Sequence, residues 1–279
     1  MKTRRLLAVL LFFLFAFVSV HQAVAGNVID RILKKGVLTM GTTGHYPPFT
    51  VKDKSGKHMG FDIDVATMMA EAMGVKLEIK EIPITDIFKS IDNGSIDMAM
   101  SGITITPARN LRVAFIGPYF VTGQSILGHK GLVDHVKGPE DINKPSFRLA
   151  VANGTTGAQV AKILAPKANI MYVKNMDAAF KAVINNKADA MFADEPYCVV
   201  TAFRNKDKKL AVSEPFTFEP LGVAMPQTDL LWLNWVDNFL MNLNATGKLK
   251  ELKAYWLANP DWMQRLKNPN ELSPKNRDM

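Results

Sequence analysis

The chain reads as an α/β protein of two similar lobes, each a mostly parallel sheet flanked by helices, and three observations predict this. Strand and helix patterns alternate from Val37 onward, the order that produces parallel pairing. The alternation then occurs a second time: FKSIDNGSIDMAMSG (88–102) set under FKAVINNKADAMFAD (180–194) brings Phe, Lys, Asn and Asp into coincidence. The tetrapeptide GTTG also recurs, at 41–44 and 154–157, each time after the first strand of a run. At 279 residues the chain exceeds the commonest domain size, in keeping with two lobes.

In the first run the pattern predicts a strand over 37–41, a helix over 65–73, a strand over 76–82, a helix over 84–92 and a strand over 96–101. The second helix shows its apolar face as Ile84, Ile87, Phe88 and Ile91, and Asn93-Gly94 stops it. The second run predicts strands over 147–152, 169–173 and 188–194, with helices over 156–164 and 177–184 between them. Trp232, Trp235, Val236, Phe239 and Leu240 fall at helical spacing and predict the core face of a C-terminal helix that closes the first lobe. The tail after Pro260 reads as loosely ordered.

Residues 1–25 have the form of a cleavable export signal: Lys2, Arg4 and Arg5, the apolar run Leu6 to Val20, then Ala23-Val24-Ala25. That run falls short of the roughly 20 residues a membrane span needs. Cys198 is the single cysteine, so neither an intrachain disulfide nor a lipid on a new N-terminal cysteine is expected. The expected product is a free periplasmic protein, not a lipoprotein. Removing the signal lowers the +8 formal charge by three. The remaining lysines are scattered, the pattern of a solvated surface and not of a nucleic-acid interface.

Ligands of open α/β sheets bind beyond the carboxyl ends of strands, where helix N-termini expose unpaired N–H groups. Thr42 and Thr43, Ser101 to Thr104, Gly154 with Thr155 and Thr156, and Asp194 all fall at such ends. Facing lobes would bring these loops into one cleft. Arg109 follows the third of them, with Pro107 placed as an early helix residue. A guanidinium there is either a bidentate carboxylate clamp or a surface ion pair. Asp194, on the matching loop of the other lobe, is either an ammonium acceptor or a helix N-cap. Taken as a pair they fit the zwitterion of a free amino acid.

GTTGHYPPF (41–49), GFDIDVATMMAEAMG (60–74), SGITITPARN (101–110) and ANGTTGAQV (152–160) together resemble the polar amino-acid solute-binding proteins of bacterial importers, family 3. The resemblance covers nearly all of the chain beyond the signal. It implies the type II periplasmic-binding-protein fold with two crossings between lobes, near 120–123 and 216–221. Lobe 1 would then comprise 26–120 and 218–265, lobe 2 residues 121–217, and the tail 266–279. It also implies that Arg109 binds the ligand carboxylate with help from Thr104, Ser101, Gly102 and Thr156, that Asp194 takes the ammonium, and that Tyr46 packs on the ligand side chain. The implied partners are a free amino acid and the inner-membrane permease of an ABC importer, with the receptor acting as a monomer and without a cofactor.

The chain is similar as well to cyclohexadienyl dehydratases, which act on prephenate or arogenate and share the opening Thr42 to Tyr46. In those enzymes a glutamate lies three residues after the aspartate matching Asp194, whereas Tyr197 stands there here. The sensor module of a membrane kinase is a poorer match for want of a second apolar segment. Asp62 and Asp64 suggest a carboxylate pair, but alternate residues on a strand point apart and Asp64 is placed to cap the following helix. The five histidines lack metal-ligand spacing, GTTG lacks the flanking pattern of a phosphate loop, and no catalytic residue is assigned. Cys198 reads as a small buried hydrophobe. Around the ligand side chain the candidates are Thr43, His45, Tyr46, Ile84 and Tyr197. With Thr43 where basic amino-acid binders carry an acid, they lean toward a neutral side chain.

Overall fold

The computed structural model describes residues 28–266; the expected export signal at 1–25 and the tail beyond Leu266 lie outside them. In chain order the first run comprises α1 (Val28–Lys35), β1 (Val37–Thr42), the hairpin β2 (Val51–Lys52) and β3 (His58–Met59), α2 (Phe61–Ala72), β4 (Lys76–Glu81), α3 (Ile87–Asp92), β5 (Met98–Ala99), α4 (Pro107–Asn110) and β6 (Ala114–Thr122). The second comprises β7 (Gln124–His129), α5 (Lys130–Val133), α6 (Pro139–Ile142), β8 (Arg148–Ala152), α7 (Thr156–Leu164), β9 (Asn169–Val173), α8 (Met176–Ile184), β10 (Ala190–Asp194), α9 (Glu195–Arg204) and β11 (Leu210–Val212). The chain then returns through β12 (Glu219–Met225) to α10 (Leu230–Ala245) and α11 (Lys248–Lys253).

The two sheets have equivalent orders, β4-β1-β5-β12-β6 and β9-β8-β10-β7-β11. In each, the first three strands pair in parallel and the fourth runs against both its neighbours. Four of five strands therefore point one way, and their carboxyl ends gather on one edge. The reversed strand is in each case the first after a passage from the other sheet. Thr122 still pairs with Glu219 in the first sheet, while Gln124 already pairs with Asp194 in the second. The two passages are tied together where the Gln124 N–H donates to Thr217 Oγ1 at 2.9 Å.

Each sheet is sealed by its own apolar core. Trp232, Val236, Leu240 and Leu243 of α10 are buried against the first sheet, as the spacing predicts. Trp232, Trp256 and Trp262 are all buried, and each indole N–H is satisfied: by Asp97 O, Asp64 Oδ2 and Trp256 O respectively. That pairing matters because an unmet buried donor costs about 1–3 kcal/mol. Asp64 is thus a partner for Trp256. It does not cap α2, which begins earlier than the pattern suggests, with Gly60 at its N-cap position and no side-chain cap bond. Cys198 is fully buried, with its thiol pointing at Ser125 O and Ala193 O. No helix among the described residues is long and apolar enough to cross a membrane.

Candidate functional site

The strand ends face each other across a cavity of about 560 Å³. Thr43, Tyr46, Ile84, Ser101, Gly102, Thr104 and Arg109 line it from the first lobe, and Thr155, Thr156 and Asp194 from the second. Among the predicted site residues, Tyr197 alone is not in the lining. It is buried behind Tyr46, ring on ring with centroids 4.8 Å apart. The cause is position on the helix: three residues beyond Asp194, Tyr197 lies in the first turn of α9 on the face turned into the second-lobe core.

Arg109 is 8% exposed. Thr106 caps its short helix by accepting from the Arg109 N–H, with Pro107 in the first turn, which fixes the side chain's starting direction. The guanidinium donates through NH1 to Thr104 O at 2.9 Å and through NH2 to Gly154 O at 3.1 Å, the second bond reaching the other lobe. It also lies 5.7 Å from the Phe88 ring centroid. Among the described residues no carboxylate comes within ion-pair distance of it, so three of its five N–H groups keep their capacity. Burial pulls its pKa below the ordinary arginine value, and the negative charges of Glu219 and Asp194 oppose that.

Asp194 is 3% exposed and does not cap α9 with its side chain. Its Oδ2 accepts from the Tyr46 hydroxyl at 2.6 Å, and that hydroxyl accepts from the Asp194 N–H at 3.1 Å. Its Oδ1 accepts from Gln124 Nε2 at 2.7 Å. Burial pushes its carboxyl up to about 7; the Tyr46 bond and the Arg109 charge oppose the rise, and Glu219 adds to it. Cation and anion thus stand on opposite walls, each held by neutral dipoles.

Between them lie hydroxyls and helix N–H groups. Thr104 Oγ1 and Thr156 Oγ1 meet across the cleft at 3.4 Å, and Gln124 Nε2 lies 3.3 Å from the latter. Thr155 caps α7 by accepting from the Ala158 N–H, and Thr155 and Thr156 bring the start of that helix, where N–H groups lack intrahelical partners, to the cavity wall. Ser101 Oγ is 2.8 Å from Thr43 Oγ1 and accepts from the Thr43 N–H at 3.1 Å, which ties the two first-lobe loops together. Asp62 supports the same Ser101-Gly102 loop: buried completely, it accepts from the Gly102 N–H at 2.8 Å. Burial pushes its pKa up to about 7, against that bond and the nearby Tyr119 hydroxyl.

Residues 38–259 match the bacterial extracellular solute-binding proteins, family 3. The chain belongs to that family. Among solved structures, this family 3 protein is similar to the ancestral amino acid-binding protein AncCDT-1, a precursor of cyclohexadienyl dehydratase (40% identity, TM-score 0.77, 83% of this chain and 100% of that one). It is also similar to a binding component of an ABC transporter from Wolinella succinogenes complexed with lysine (35%, TM-score 0.79, 82% and 99%). Among characterised relatives, the glutamine-binding protein of a Bacillus subtilis ABC transporter is 32% identical over 73% of this chain and 74% of its own. The cyclohexadienyl dehydratase of Pseudomonas aeruginosa is 29% identical over 82% and 85%. The two-lobed type II architecture is shared with these structures.

Several residues of this family 3 cavity escape the sequence reading. Gln124 bonds both Asp194 and Thr156, and its signal is an amide directly after Gly123, two residues ahead of the apolar pair Ile126-Leu127. Glu219, outside the lining but near enough to act on Arg109 and Asp194 by its charge, is buried at the return passage and accepts from the Thr217 hydroxyl at 3.0 Å. Glu81 ends β4 at the cavity wall. Among the described residues no three His, Cys, Asp or Glu side chains cluster as metal ligands.

Proposed function

We propose that this family 3 protein is an exported, monomeric receptor that binds a free amino acid between its lobes and delivers it to the inner-membrane permease of an ABC importer. The observation that carries the reading is the pairing of Arg109 and Asp194, two buried ionisable groups of opposite sign on facing walls of one cavity, neither with an ionic partner among the described residues. An α-carboxylate on Arg109 and an α-ammonium on Asp194 would exchange solvation for charge-assisted bonds worth roughly twice a neutral one. Thr104, Thr156 and the first turn of α7 supply further donors on the carboxylate side. Lobe 1 (26–120 and 218–265) and lobe 2 (121–217) act as the two jaws. Export by the 1–25 signal places the receptor in the periplasm. A thermal-shift panel of the twenty common amino acids on the purified protein tests this. One or a few should raise the melting temperature by several degrees, and the same ligands should fail on Arg109→Ala; no shift with any of them counts against the receptor.

Similarity to a dehydratase supports a second reading, catalysis in the same cavity. Loss of hydroxide from prephenate or arogenate needs a proton donor beside the leaving group. The glutamate expected for that task is replaced by Tyr197, which is packed behind Tyr46, and burial raises its pKa further from neutrality. Glu195 is not in the cavity lining either. Asp194 is a lining acid that burial pushes up to about 7, and Tyr46 and Gln124 hold it as a hydrogen-bond acceptor. Incubation with prephenate and arogenate decides: phenylpyruvate or phenylalanine released at about 1 per second or faster would make the protein an enzyme.

A further inference from the structure

Glu81 is the last residue of β4, in register beside Thr42 at the end of β1. Its side chain turns back over the first cavity loop. A Cβ placed on Gly44, where φ is +71°, would lie 2.9 Å from Glu81 Cγ and Cδ, so that loop needs a glycine to let the carboxylate lie against it. One carboxylate oxygen, Oε1, is engaged by Lys52 and by His58 Nε2 at 2.7 Å. The other, Oε2, has His45 Nε2 at 3.7 Å as its ionic neighbour, too far for a hydrogen bond. Both Glu81 and His45 line the cavity.

The lining is acidic although the chain is basic. Glu81, Asp86, Asp177 and Asp194 stand in the cavity wall against Arg109 and Lys174, histidines aside, in a chain whose formal charge is +8. Asp86 and Asp177 sit at exposed positions on the rim, where screening weakens them. Glu81 is exposed as well, and what sets it apart is the hold of Lys52 and His58 on one of its carboxylate oxygens, with the neutral Thr43 beside it.

We infer that Glu81 is the specificity-determining acid of this cavity, and that its Oε2 receives the cationic end of a basic amino-acid side chain. This rests on the receptor reading above and departs from the neutral side chain that Thr43 suggests: the acid missing from the first loop is supplied to the same place from the end of β4. Lys52 and His58 hold Oε1 and thereby aim Oε2, and Arg109 with Asp194 fix the ligand's other end.

Titration calorimetry with lysine, arginine, glutamine and citrulline tests it, because citrulline is arginine with the charge removed. The intact protein should bind arginine at least about tenfold more tightly than citrulline, the scale of a hydrogen bond to a charged group. Glu81→Gln should bring that ratio below about threefold, since Lys52 then meets the ligand cation uncompensated, while the melting temperature stays close to the parent's. A parent that binds citrulline or glutamine as tightly as the basic pair overturns the inference and leaves the receptor reading standing, as does an arginine preference that survives Glu81→Gln. Absence of binding by all four to either protein overturns the inference by a different route, and the thermal-shift panel then shows whether the receptor reading falls with it.

Discussion

A guanidinium withdrawn from water has to be repaid in hydrogen bonds, and among the described residues the Arg109 side chain donates only two, both to carbonyls. It is thereby positioned without being neutralised, which is what a carboxylate clamp requires. Arg109→Ala should leave the fold intact and weaken amino-acid binding by roughly 2–5 kcal/mol, the cost of truncating one member of a buried charge pair. Arg109→Lys should recover little, because an ammonium cannot repeat the forked contact. Calorimetry checks both, and wild-type affinity in the Ala variant would refute the assignment. Asp194 gives a second prediction, with a definite sign. Burial raises its pKa to about 7, so below that pH the free site holds a proton that a ligand ammonium must expel. Affinity should therefore be full above about 7 and fall on acidification by up to about tenfold per pH unit. Asp194→Asn should bind weakly and lose this dependence; unchanged affinity down to pH of about 5.5 with Asp194 intact would be the contrary result.

The cavity is built where loops leave strand ends, and the loop at Ser101-Gly102 shows how closely local geometry and function are joined. Gly102 has φ +60°, and a Cβ there would lie 3.0 Å from the Tyr46 ring and 3.2 Å from Phe49. Gly102→Ala should cost on the order of 1–2 kcal/mol of stability from the left-handed backbone alone. It should also weaken binding, because the displaced ring carries the hydroxyl that holds Asp194. Chemical denaturation and calorimetry measure the two losses, and a variant that is destabilised yet binds normally would separate Tyr46 from the site. The element order and both helix runs were legible because apolar periodicity and the duplicated FK…N…D pattern are properties of consecutive residues. Start points were less so: the predicted helix over 84–92 begins at Ile87, and the predicted strand over 96–101 is paired only at Met98–Ala99. Tyr197, Glu81 and Asp64 were misjudged or passed over for a common reason. Whether a side chain faces cavity, core or a neighbouring loop is settled by packing between elements distant in sequence, and no local pattern records it.

At the scale of the whole molecule, two passages of chain join the sheets, and among the described residues three polar pairs meet across the cleft between them: Tyr46 with Asp194, Arg109 with Gly154 and Thr104 with Thr156. All three are made by groups proposed to hold the ligand, so opening the jaws and emptying the site are one process. The passages are narrow and tied by the Gln124 to Thr217 bond, which suits a hinge about Gly123 in which each lobe moves as a body. A ligand shifts the open–closed balance only by the difference in its affinity for the two states. One that touches Arg109 on one wall and Asp194 on the other has its full set of contacts in the closed state alone. Small-angle scattering should accordingly show a smaller radius of gyration once the amino acid identified by the thermal-shift panel saturates the protein. Asp194→Ala should abolish that contraction even at ligand concentrations that still occupy Arg109, because the second-lobe anchor is gone. Tyr46→Phe removes a cleft-crossing hydroxyl but leaves both charges, so it should contract with ligand while its ligand-free form is the more open of the two. Equal radii with and without saturating ligand in the unaltered protein would exclude closure as the means by which the receptor signals that it is loaded.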